Sequence, residues 1–143
     1  MRKDIRLIKH IGNEYKLFDE SNYSPEIGAD GIFINTDHCV MVIGFKDSEF
    51  NNFKDSCEIL NKNNARFPTL HEVVEIITNF EEINKYFLLV TGKELDKEHF
   101  YWTSQDISDS HAYVFSLSIV LVLPKFGYGY AKTLFIYESN YKQ

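Results

Sequence analysis

Apolar and polar residues alternate through Tyr15, Lys16 and Leu17, as in a strand with one face in water, and residues 19–22 supply turn chemistry. Gly31-Ile32-Phe33-Ile34-Asn35, a turn at Thr36-Asp37 and Cys39-Val40-Met41-Val42-Ile43-Gly44-Phe45 read as a hairpin with one strand buried on both faces. After Asp47 the period changes. Phe50, Phe53, Cys57 and Leu60 recur at three- and four-residue spacing, which predicts a helix over about residues 49–62 ended by Asn61-Lys62-Asn63-Asn64.

Arg66-Phe67-Pro68-Thr69-Leu70-His71-Glu72 carries the clearest local signal. Pro68 biases Phe67 toward extended backbone, Thr69 caps the free amides of a helix start, and Glu72 reaches back to the Thr69 amide, completing a capping box. Val73, Val74, Ile76 and Ile77 supply the expected buried face, Asn79-Phe80 mark a stop or kink, and Ile83, Phe87 and Val90 continue at helical spacing to a closing Gly92. Strands return with Tyr101-Trp102-Thr103-Ser104. A loop is expected over residues 105–110, one long apolar strand or a bent pair over 112–123, a turn over 124–129 and a final strand over 131–137. Strands, then helices, then strands again is the α+β signature rather than βαβ alternation.

Composition narrows the classes. A chain of 143 residues, 44% hydrophobic and 25% charged, suits one globular domain over 1–143, with no repeat or linker to divide it. Aromatic residues reach 15%, enough to fill a core and leave rings at the surface. The net charge is -6 and the basic residues are scattered, which argues against nucleic acid as a partner. The longest apolar run, Ser118-Ile119-Val120-Leu121-Val122-Leu123, is far short of a bilayer span, so membrane insertion is not expected. The start, Met1-Arg2-Lys3-Asp4-Ile5-Arg6, lacks the apolar stretch of a secretory signal, and a cytoplasmic or virion-associated location is expected unless the chain is excised from a longer secreted one. Cys39 and Cys57 form no CxxC pattern and read first as buried reduced thiols, with a disulfide or a reactive pair as the alternative.

The 66–72 segment, Ile83-Asn84, Tyr101-Trp102-Thr103-Ser104, Ala112-Tyr113 and a closing strand near Leu134 to Tyr137 occur in an order that resembles the Lcl C-terminal-type domains of the C-type-lectin-like fold. Residues 37–47 are similar to the strand those proteins place before their first helix. The resemblance implies antiparallel sheets flanked by two helices, first and last strands that meet, and a late loop region from which relatives bind ligands. It does not imply sugar binding, because this fold hosts many functions. The "EPN", "QPD" and "WND" strings of calcium-dependent lectins are absent, as is the late cysteine pair of formylglycine-generating relatives. No cofactor, no metal and no catalytic machinery is therefore expected.

The candidate ligand-binding residues lie in that late region. Trp102, Phe126, Tyr128 and Tyr130 offer rings for stacking or for anchoring a protein partner, and Gln105, Asp106 and Asp109 offer polar groups to orient it. Trp102 and Tyr113 have a competing role as core residues. Asp106 and Asp109, with His111 nearby, also read as a solvated turn. His38 beside Cys39 evokes a base and nucleophile, but strand neighbours point to opposite faces, and the other histidines lack metal-ligand spacing. The sequence thus predicts a non-catalytic binding or assembly module, phage- or surface-associated, engaging a protein or a glycan and capable of homo-oligomer or virion assembly. A calcium-independent carbohydrate-binding module is the alternative, and an enzyme of unknown class the third.

Overall fold

The computed structural model describes residues 2–46, 49–106, 108–117, 119–125 and 129–138, with Gln105, Asp106 and Pro124 described as backbone only. The chain is α+β, with two antiparallel sheets and three helices. The first sheet has the order β2-β1-β3-β4-β8, built from β1 (Lys3–Ile11), β2 (Glu14–Phe18), β3 (Gly31–Thr36), β4 (Val40–Gly44) and β8 (Ile136–Tyr137). The second has the order β5-β6-β7, from β5 (Tyr101–Asp106), β6 (His111–Phe115) and β7 (Val120–Pro124). Among the described residues no helix is long and apolar enough to cross a membrane.

Register explains the first sheet's core. Ile5 lies opposite Ile34, Leu7 opposite Ile32, Ile34 opposite Met41 and Ile43 opposite Ile136, so one face is a continuous aliphatic surface. Val73 and Ile76 of α2 (Leu70–Thr78) and Ile83, Tyr86 and Phe87 of α3 (Phe80–Thr91) cover it. The other face buries Ile8, Phe33 and Val42 under Tyr15, Leu17 and Tyr137. β1 was not legible as a strand, because its apolar residues serve both faces and its charges fall between them. A second core joins Leu60 of α1 (Phe53–Lys62) to Phe67, Trp102, Ala112, Val114, Ala131 and Phe135 beside the second sheet.

Several expectations are corrected. The helix predicted from residue 49 starts at Phe53, because the Asn52 side chain accepts from the Asp55 amide and sets the N-cap there. Phe50 therefore lies outside the helix stripe and packs edge-on to His99. Val74 is 61% exposed, since it sits a third of a helical turn from Val73. Residues 105 and 106 extend β5, with Asp106 opposite Ala112 across an irregular register. Of the two forms expected for 112–123 the pair of strands is found, whereas the final strand shortens to β8 because its backbone serves several partners: Asn51 for Ala131, Tyr101 for Lys132 and Arg66 for Ile136. The expected stop at Asn79 is found and separates α2 from α3, the Asn79 side-chain amide donating to the Glu75 carbonyl. The first and last strands do not meet, because β3 and β4 lie between β1 and β8.

Candidate binding surface

Of the late-chain candidates, Trp102, Gln105 and Asp106 lie on β5 and Asp109 in the turn that follows it, whereas Tyr130 lies outside the second sheet. Trp102 is fully buried, and its indole N–H donates to the Asn51 carbonyl at 2.9 Å. Its ring meets Phe53 edge-on. It offers no surface to a ligand, so its candidacy as a binding residue is corrected to a core role. Tyr130 is 53% exposed, beside the buried Ala131. Asp109 is exposed in the turn between β5 and β6, where Ser110 Oγ lies 2.7 Å from His111 Nδ1. Gln105 and Asp106 are placed by backbone alone, while Phe126 and Tyr128 lie outside the described residues. The structure therefore does not bring the seven candidates to one described site.

An open groove of about 510 Å³ runs beside β5, floored by Leu60, Ala65 and Phe67 and rimmed by Asn61, Arg66 and Ser104. The capping segment shapes it. Arg66 donates from both terminal nitrogens to the two Glu72 carboxylate oxygens at 2.7 Å each, and pairs with Glu138. Glu72 also accepts from the Thr69 amide at 2.9 Å, while the Thr69 hydroxyl accepts from the Glu72 amide at 3.1 Å, completing the expected capping box. Burial raises the Glu72 pKa, but the Arg66 guanidinium and the Thr69 bonds outweigh it and hold the carboxyl below its ordinary value. The guanidinium is committed to two carboxylates and is a brace rather than a free anion receptor.

A second charged cluster was missed because Lys132, which completes it, is distant in sequence from Asp96 and His99. Asp96 accepts from Lys132 Nζ at 2.9 Å, lies 2.8 Å from His99 Nδ1, and accepts from the backbone of Glu98 and His99. Burial raises its pKa, yet these donors together drive it well below the ordinary carboxylate range. A carboxylate so satisfied anchors the 131–136 segment to the loop before β5 and is a poor proton acceptor. Cys39 and Cys57 are both unbridged, and burial pushes the Cys39 thiol up, the opposite of nucleophile activation. His38 meets His71 edge-on with its carbonyl 3.0 Å from His71 Nε2, so this corner is held by packing.

The exposed apolar surface of the second sheet is on β7 and the residue before it. Ile119, Val120, Leu121 and Val122 are 49%, 41%, 40% and 44% exposed. Consecutive exposure means that both faces of the strand are open, since neighbours point to opposite sides. β6 shows why: Val114 faces the second core and Phe115 the first, whereas of the described β7 side chains Leu123, opposite Ala112, is the one packed against a core. No family model matches the chain, and no curated protein is significantly similar to it.

Proposed function

We propose that the chain is a non-catalytic binding or assembly module that engages a protein partner through the edge of its second sheet. The observation that carries this reading is β7, an aliphatic strand open on both faces over Val120 to Val122 and, among the described residues, hydrogen-bonded to a strand on one side alone. Contiguous exposed apolar surface on a folded domain marks interaction sites, and a strand edge supplies backbone donors and acceptors for an added strand. The lectin-like resemblance agrees with a scaffold that presents late segments for recognition. Immobilised synthetic peptides of strand-forming sequence provide the test. Wild type retains a subset of them and Val122→Lys, folded by circular dichroism, loses that subset. Absence of both peptide retention and self-association in the wild type would overturn the proposal.

A carbohydrate-binding module is the second reading, favoured by the groove beside β5, where Phe67 offers an aromatic floor and Asn61 and Ser104 offer hydrogen-bonding rims. Binding on a glycan array that survives Val122→Lys but is lost in Asn61→Ala would select it.

A further inference from the structure

Resting on the reading of β7 as the docking edge, we infer that its partner is a second copy of the same strand, paired antiparallel about a twofold axis at Leu121.

Exposed edges are normally guarded by charge, brevity or cover. β2, the outer strand of the first sheet, carries Glu14 and Lys16; β8, at the opposite edge, has two residues; and β5 is covered by the 131–136 segment through Trp102 and Lys132. β7 carries no charge and, among the described residues, no covering segment; Pro124 at its end is its one guard. Residues 116–124 contain no charged residue, so a chain of net charge -6 leaves this edge uncharged.

Hydrogen-bond phase then fixes the register. The Ser116 amide donates to the Ile119 carbonyl at 2.9 Å and the Lys125 amide to the Ser110 carbonyl at 2.7 Å, which marks both as hydrogen-bonded pairs at the ends of the β6–β7 ladder. Such pairs alternate with non-bonded pairs. Ile119, Leu121 and Leu123 therefore direct their backbone groups toward β6, while Val120 and Val122 direct theirs outward. An axis at Leu121 places Val120 of one copy opposite Val122 of the other, twice over, giving four N–H···O=C bonds. Leu121 then lies opposite itself in a non-bonded pair.

The side chains obey the same symmetry. Val120-Leu121-Val122 reads identically in both directions, and the flanking Ile119 meets Leu123. Every cross-strand pair is aliphatic against aliphatic on both faces. A one-residue slip would set outward groups against inward ones, and an axis at Val122 would place the Pro124 nitrogen, which has no hydrogen, opposite Val120. The product is a six-stranded sheet continuous through two chains, an isologous interface of the common twofold kind.

Sedimentation of the intact chain tests this, with the proposal expecting a species of twice 16.8 kDa. Leu121→Lys sets two ammonium groups face to face at the axis and is expected to raise the dimer dissociation constant at least about tenfold, whereas Val74→Lys, on the exposed face of α2, leaves it unchanged. Leu121→Cys is expected to oxidise to a 121–121′ disulfide identified by mass spectrometry, because a non-bonded antiparallel pair brings the Cα atoms to about 4.5 Å. If Leu121→Lys fails to fold, the cysteine variant carries the test alone. A wild-type chain that is monomeric at about 100 μM overturns the inference, since self-association is governed by concentration. So does a dimer that forms no 121–121′ bond. A monomer that still retains strand-forming peptides overturns self-pairing while leaving the docking edge standing; a monomer that retains none overturns both.

Discussion

Glu72→Gln removes one charge and almost no volume from the junction between the two cores. In the wild type both carboxylate oxygens accept from Arg66, and one also accepts from the Thr69 amide. A glutamine retains one oxygen for that amide but turns an N–H₂ toward a guanidinium that has only donors. Removing one partner of a buried ion pair costs about 3–5 kcal/mol, but Arg66 has a side-chain exposure of 31% and retains Glu138, so water and the second carboxylate absorb part of the loss and about 2 kcal/mol is expected. With an ordinary urea slope this lowers the unfolding midpoint by about 1 M. The single buried Trp102 reports the transition by fluorescence. The pH dependence supplies an independent check. The folded Glu72 pKa lies below its ordinary 4.5, so its stabilisation is fully present above that value and fades as pH falls through the lower folded value. The variant lacks this contribution, so the gap between it and wild type narrows on acidification below 4.5. A midpoint shift below about 0.3 M at neutral pH, or a gap that does not narrow in acid, would refute the reasoning.

Thr69→Ala removes the acceptor of the Glu72 amide and is expected to cost about 1 kcal/mol in the same urea assay, with a clear departure from additivity when combined with Glu72→Gln because both belong to one hydrogen-bond network. Gly31→Ala puts a methyl group 2.5 Å from Val42 Cγ1 and 2.7 Å from the Ile43 carbonyl, so the β3–β4 pair must part and about 1–3 kcal/mol is lost. Gly12→Ala, in open space at φ +64°, is strained by about 1 kcal/mol or less by backbone alone. A larger loss at Gly12 than at Gly31 would contradict the register of β3 against β4.

The features legible in the sequence are those fixed by near neighbours. The Thr69–Glu72 box, the stop at Asn79, the left-handed Gly92 and the β3–β4 hairpin each depend on residues a few positions apart, and each is found. What depended on tertiary placement was not legible. β1 carries Ile5 and Leu7 to one face and Ile8 to the other, a pattern without a clean period because both faces are covered. Trp102 is chemically as suited to a binding site as to a core, and only the packing of Phe53 and the Asn51 carbonyl against it decides the matter. Ile119 to Val122 are legible as part of an apolar strand, but not as an exposed one. Their exposure follows from β7 being the last strand of a three-stranded sheet, a property of topology that no window of the sequence contains.

The residues that carry the lectin-like resemblance are spent on the scaffold. Arg66, Thr69 and Glu72 brace one another; Asn84 accepts from the Leu95 amide at 2.7 Å and so fixes the loop after α3; Trp102 fills the second core; and Thr103 donates its hydroxyl to the Tyr113 carbonyl at 2.9 Å. Groups committed in this way have little left to offer a ligand, so a pattern made of them speaks to how a chain folds and is silent on what it binds. Recognition must then fall to positions outside the pattern, where side chains are neither buried nor bonded. On the described surface Ile119 to Val122 is such a stretch and is aliphatic throughout, and it owes nothing to the motif residues except the core that holds β6 in place beside it. Replacing those four residues should therefore alter association while leaving the fold intact, and replacing the motif residues should do the reverse.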